Sequence, residues 1–210
     1  MKDILETRAY SVKLETREDS DMGTISGRPI VYGSYADLMF FREIIDVGAL
    51  DSADLSDVRL CLNHDTSYVY ARSRRNNPNS TMRLMPTALG LDIEADLAIK
   101  ESAKARDYFT AIQREDIDKM SFMFSVKEDR WEDLESDYPT RHITKIGSVV
   151  EVSAVTFPAY ESTEISARSK EALESARSAL ESARQQNAKP LESGDEINLL
   201  HEKLKLLGGI

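Results

Sequence analysis

Apolar and polar positions alternate with a period near two over much of residues 1 to about 160, and this pattern predicts strands. Val58, Leu60 and Leu62 alternate with Arg59, Cys61 and Asn63, as expected of a strand with one wet face, and His64 continues the Val58 face at its end. Residues 24–32 mix β-branched side chains with Gly23, Gly27 and Gly33, which reads as strand and turn. Residues 82–85 and 91–97 pair as a hairpin joined through 86–90. Met120, Phe122, Phe124 and Val126 alternate with Ser121, Met123 and Ser125. Residues 143–157 give a further strand region, open to a break at Gly147 and stopped by Pro158.

Two segments depart from that period. Ala105, Tyr108, Phe109 and Ile112 recur at helical spacing, so 101–114 is predicted as a helix with one buried stripe. Residues 127–137 hold six acids against two bases and read as a solvated hairpin or loop. Near residue 165 the composition shifts to Ala, Ser, Glu and Arg. A near-exact heptad copy occurs, Ala-Leu-Glu-Ser-Ala-Arg-Ser at 172–178 and Ala-Leu-Glu-Ser-Ala-Arg-Gln at 179–185. Leu173, Ala176, Leu180 and Ala183 form a narrow stripe of period 3.5. Two heptads with alanine at half the core positions favour a solvated helix over a dimer seam, with self-association as the alternative. After Pro190, the residues Ile197, Leu200, Leu204 and Leu207 mark a short amphipathic helix. The expected division is a domain over 1–165, a helical linker over 166–190 and a terminal helix over 191–210.

Composition narrows the function. The 210 residues are 41% hydrophobic, enough for one core and an appendage. A formal net charge of -10 repels phosphate backbones, so nucleic acid is not an expected partner. Arg72, Arg74 and Arg75 form one tight basic cluster, expected at an exposed strand end before the 76–79 turn. No apolar run is long enough to span a bilayer, residues 1–6 lack a secretion pattern, and no membrane partner is expected. A lone cysteine, Cys61, fits a reducing compartment and an inert strand thiol. His64, His142 and His201 lack metal-ligand spacing, and no cofactor is expected.

Three distant patches supply the groups of a hydrolytic site. Asn63-His64-Asp65 offers an imidazole, the 120–125 strand a hydroxyl, and Glu151 a carboxylate. A serine hydroxyl is a poor nucleophile unless a base within hydrogen-bond reach takes its proton, and the base works better when a carboxylate holds its second nitrogen. Ser125 could fill the place of Ser121, and His142 competes for the third role. Asp65, adjacent to His64 on a strand, would point to the opposite face. Glu151 lies inside an apolar strand, a costly place for an acid unless it is paired or exposed.

Taken in order, these patches resemble the prohead maturation proteases of tailed bacteriophages, a serine endopeptidase family similar in fold to herpesvirus assemblin. The likeness covers about residues 5 to 165. It rests on Ile25-Ser26-Gly27-Arg28-Pro29-Ile30-Val31-Tyr32, on Glu43-Ile44-Ile45-Asp46-Val47-Gly48-Ala49-Leu50, and on Leu62-Asn63-His64-Asp65. It continues in Lys119-Met120-Ser121-Phe122-Met123-Phe124 and is closest in Glu151-Val152-Ser153-Ala154-Val155-Thr156-Phe157-Pro158-Ala159-Tyr160. The resemblance implies His64 as general base, Ser121 as nucleophile and Glu151 as third member. It implies a mainly β fold with flanking helices, a compact assemblin-like β-barrel followed by a helical C-terminal tail. It also implies that scaffold segments, the major capsid protein and the protease itself are cut inside the assembling procapsid, in the host bacterial cytoplasm. Met123 stands where the family commonly has glycine, as does Ala71 before Arg72, and both would narrow the cleft. The herpesvirus relatives carry an arginine-bearing loop after the third member, and residues 156–160 have no arginine, so the oxyanion donors are unassigned, with backbone N–H groups near that loop as the default. The rival reading is a scaffold or assembly protein with a decayed protease domain. An unrelated esterase is disfavoured because no Gly-x-Ser-x-Gly elbow occurs.

Overall fold

The computed structural model describes residues 4–10, 14–19, 21–156 and 167–187. It is mainly β. In chain order the strands are β1 (Leu5–Tyr10), β2 (Glu15–Asp19), β3 (Met22–Val31), β4 (Tyr35–Asp37), β5 (Arg42–Ile45), β6 (Val58–Leu62), β7 (Ala71–Ser73), β8 (Met82–Thr87), β9 (Gly90–Leu97), β10 (Lys119–Glu132) and β11 (Thr140–Val155). Helix α1 (Ala103–Gln113) separates β9 from β10, and α2 (Ala167–Asn187) follows β11. No helix among the described residues is long and apolar enough to cross a membrane.

The strands form two sheets, a seven-stranded one ordered β1-β10-β11-β5-β4, with β6 and β7 attached through β11, and a four-stranded one ordered β2-β3-β9-β8. Among the described residues these pairings do not close into a ring, so the expected compact barrel takes the form of two sheets. Within the larger sheet β11 is shared. One side pairs antiparallel with β10 along most of its length. The other side takes two short parallel strands in tandem, β5 against residues 140–143 and β6 against 151–154. One core of apolar side chains, including Ile25, Leu60, Leu91, Ile93, Phe122, Phe124 and Val152, draws on both sheets and on α1.

The helix predicted over 101–114 forms as α1 and buries the expected stripe of Ala105, Tyr108, Phe109 and Ile112. It starts where it does because the Ser102 hydroxyl caps it, accepting the Ala105 N–H at 3.2 Å. The 82–97 hairpin forms as predicted, and the acidic 127–137 stretch is a hairpin whose strands extend to Glu132 and restart at Thr140. Gly147 does not break β11. Its missing side chain instead admits Ser125, whose Oγ would lie 2.7 Å from an added Cβ. Ala176 and Leu180 of α2, from the predicted stripe, are buried against Leu38 and Phe41 rather than solvated. Arg184 then donates to the Leu134 and Ser136 carbonyls in the β10–β11 turn, at 3.2 and 2.8 Å.

Polar side chains also hold the large sheet together. Arg8 on β1 is fully buried and donates to both carboxylate oxygens of Glu43 on β5 and to Glu6. Arg141 on β11 completes the cluster, donating to Glu6 at 2.9 Å, to Glu43 at 3.1 Å and to Asp129 at 2.6 Å. Burial alone would disfavour each charge, but the opposite charges overcome it. They hold the Glu6 carboxyl below its ordinary range and the Arg141 guanidinium above its own.

Candidate active site

β6 carries the chain to its end at Leu62, and the next two residues turn sharply. Asn63 and His64 both adopt left-handed backbone, with φ of 51° and 59°. Such a pair costs free energy unless its surroundings impose it. Here β11 and the residue after it do so through three hydrogen bonds. The Asn63 N–H donates to the Ala154 carbonyl at 3.0 Å, the His64 N–H to Ser153 Oγ at 3.0 Å, and the Thr156 N–H to Asn63 Oδ1 at 2.9 Å. His64 therefore does not continue the Val58 face. It sits in a turn that lays its ring over the sheet.

Beneath the ring, three directly paired strands present one face. Ser121 on β10 pairs with Ser153 on β11, which pairs with Cys61 on β6, and Met123 pairs with Glu151. Directly opposed residues share a face, so Ser121, Ser153 and Glu151 point the same way. His64 Nε2 lies 2.7 Å from Ser121 Oγ, and His64 Nδ1 lies 2.6 Å from Glu151 Oε2. Glu151 is buried, and its remaining oxygen accepts the Ser153 hydroxyl. The acid that looked costly in its apolar strand is thus paired on both oxygens. A carboxylate on Nδ1 requires the proton there, which leaves Nε2 free to accept from Ser121.

Ser121 is 2% exposed, and its Oγ is also 2.7 Å from the Arg8 carbonyl on β1. One hydroxyl proton cannot serve two acceptors. Which of the two accepts it depends on the tautomer of the His64 ring, since an Nε2 that carries a proton donates to Oγ and leaves the hydroxyl to the Arg8 carbonyl.

The other candidates lie elsewhere. Ser125 Oγ pairs with Ser148 Oγ at 2.9 Å. His142 Nδ1 faces Asp46 Oδ1 at 2.9 Å and Arg130 Nη2 at 2.8 Å. Asp65 accepts from the Ser67 N–H and hydroxyl at 3.0 and 2.6 Å. Cys61 is buried, and burial followed by the Glu151 charge pushes its thiol up to about 12, as suits an inert residue. Of the expected oxyanion loop, Thr156 uses its N–H on Asn63, and residues 157–160 lie outside the described residues. Two contributors escaped the sequence reading. Tyr108 of α1 donates its hydroxyl to the Cys61 carbonyl at 3.1 Å and receives the Ala154 N–H at 3.4 Å, tying the helix to both strands below the site. Ser153 is the other, and its signal was its place two residues after the acid, on the same strand face.

A nucleophile, a base and an orienting acid within hydrogen-bond reach constitute the machinery of acyl transfer. Neither the curated proteins nor the solved structures include a significant match to this chain. The family model for the caudovirus prohead serine protease does match, over residues 10–177, which takes in every strand from β2 to β11, the site above and the first half of α2. By that match the chain belongs to the caudovirus prohead serine proteases and is a serine protease.

Proposed function

We propose that this chain cuts scaffold segments, the major capsid protein and itself during procapsid maturation, with Ser121 as nucleophile, His64 as general base and Glu151 as the acid that orients the base. The observation that carries the residue roles is the unbroken line from Ser121 Oγ through the His64 ring to Glu151. As Oγ attacks a peptide carbonyl, Nε2 takes the hydroxyl proton. The tetrahedral intermediate collapses with loss of the amine, which receives that proton from Nε2. Water then repeats the sequence and frees the acyl group. Glu151 keeps Nδ1 protonated and stabilises the imidazolium formed in each half.

Family membership supports capsid-associated substrates in general, and the named substrates and the setting inside the shell within the host cytoplasm extend that reading. Two sheets sharing one core support kinship with the assemblin-like barrel. The division at 1–165, 166–190 and 191–210 belongs to the same proposal, with α2 seated on the protease body through Ala176 and Leu180. Co-expression of Ser121→Ala enzyme with capsid and scaffold proteins, read by intact mass spectrometry, tests it. Trimming is expected to vanish. Trimming that persists, with the variant folded, defeats the assignment of Ser121 and the proposal with it.

A further inference from the structure

Ser153 makes two hydrogen bonds that meet on the same histidine from opposite ends. Its Oγ accepts the His64 main-chain N–H at 3.0 Å and donates to Glu151 Oε1. The other Glu151 oxygen holds the His64 ring at 2.6 Å. The contacts close a loop: His64 backbone, Ser153 hydroxyl, Glu151 carboxylate, His64 imidazole. We infer that Ser153 is a positioning residue for the hydrolytic reaction, fixing the distance and angle between base and acid. The inference rests on the site proposed above and adds a fourth side chain to it.

The geometry favours this role over simple packing. Ser153 is fully buried, where a hydroxyl without partners would be costly, and both of its partners belong to the site. It faces Ser121 directly across the β10–β11 ladder, so it stands at the centre of the constellation without touching the attacking oxygen. The His64 turn gains part of its support from this bond, because a left-handed Asn-His pair needs outside contacts to persist. The Ser153 donor also draws negative charge toward Oε1 and away from the oxygen that faces the ring. Other titratable or charged groups around the pair are Cys61 and Arg59 on β6, Asp65 in the turn and Tyr108 on α1; Arg59 stands opposite Glu151 in the ladder and donates to Asp57 at 2.9 Å. Burial keeps the Cys61 thiol and the Tyr108 hydroxyl neutral across the working range, so neither imitates the effect of Ser153.

The test measures nucleophile activation with a fluorophosphonate probe, so no peptide substrate is needed. Ser121 Oγ bonds to phosphorus, fluoride leaves, and the hydroxyl proton passes to His64. Full-length wild type, Ser121→Ala, Ser153→Ala and Ser153→Cys are compared, each checked for folding by circular dichroism. Cysteine keeps the shape of serine with a larger atom in place of the oxygen, and is a weak donor and acceptor. Labelling of wild type and none of Ser121→Ala establishes the site. Labelling that survives Ser121→Ala defeats the site itself and the inference with it. Given a sound site, both Ser153 variants are expected to label about 10- to 100-fold more slowly, the scale of a misplacement near 1 Å. The acidic limb of the rate profile is expected to move to higher pH, because an unshared Glu151 charge favours the imidazolium. Should Ser153→Ala not fold, Ser153→Cys decides alone. Rates near wild type, or slower labelling with an unmoved or lowered limb, overturn the assignment and leave Ser153 a packing residue.

Discussion

Replacing Arg8 with methionine should cost the fold about 3–5 kcal/mol, the scale of breaking a buried ion pair from one side. In the intact cluster Arg8 and Arg141 face Glu6 and Glu43, two charges of each sign, with Asp129 at the rim. Arg8→Met leaves two buried carboxylates to one guanidinium and removes the tie between β1 and β5. Methionine replaces much of the arginine stem, so most of the loss is electrostatic. The reasoning makes a second demand. Arg8→Met with Glu43→Leu leaves Glu6 against Arg141, a balanced pair already joined through both Glu6 oxygens at 2.9 and 3.1 Å. That double variant should recover to within about 1.5 kcal/mol of the parent, since apolar replacement of a whole pair is often neutral. Urea unfolding in a Ser121→Ala background, chosen to remove the proposed nucleophile, would measure both. The single tryptophan, Trp131, stacks near Arg141 and reports locally. A loss below about 1 kcal/mol for the single variant, or a double variant no better than the single, would refute the account of β1 as a strand anchored by charge.

Three further outcomes follow from the same coordinates. Glu6 is held below its ordinary value of 4.5, with the Arg8 and Arg141 charges outweighing burial. A depressed carboxyl contributes stability that is complete above that value and lost as pH falls through the folded one. Glu6→Gln should therefore flatten the fall in stability on acidification below about pH 4.5, and an identical acid slope would contradict this. Gly147→Ala drives a Cβ to 2.7 Å from Ser125 Oγ and should cost about 1–3 kcal/mol, relieved by Ser125→Gly; no relief in thermal melts would locate the clash elsewhere. Leu180→Ala should release α2 from Leu38 and Phe41 at a cost near 2 kcal/mol. Trypsin would then cut at Arg177 and Arg184 sooner, and an unchanged digestion rate would count against the docking.

Much of the scaffold was legible because it obeys local periods. Alternation at 58–62 and 120–126 and the four-residue stripe of α1 report burial directly, and each element forms as read. The candidate side chains were legible through motif order. The structure supplies a reason for the company those motifs keep: Asn63 and His64 hydrogen-bond to Ala154, Ser153 and Thr156, so the histidine and glutamate patches support each other. What local pattern could not report were partners far along the chain. Glu6, Arg8, Glu43 and Arg141 look like solvated polar positions, and only the sheet brings them within reach across 35 and 135 residues. The left-handed turn at His64 was invisible for a similar reason, since its support comes from a strand 89 residues later. The solvated reading of the alanine-rich helix missed Leu38 and Phe41, which offer it an apolar seat.

The double duty of β11 bears on how such a chain can change length. Its start carries Arg141 of the ionic cluster against β5, and its end carries Glu151 against β6, so both assemblies are spaced by one strand. Inserting or deleting a single residue between them would turn one of the two to the opposite side of the sheet. The register shifts between Met123 and Asp129 already absorb irregularity there. Natural variants should accordingly resist indels between 144 and 150, where the chain acts as a ruler.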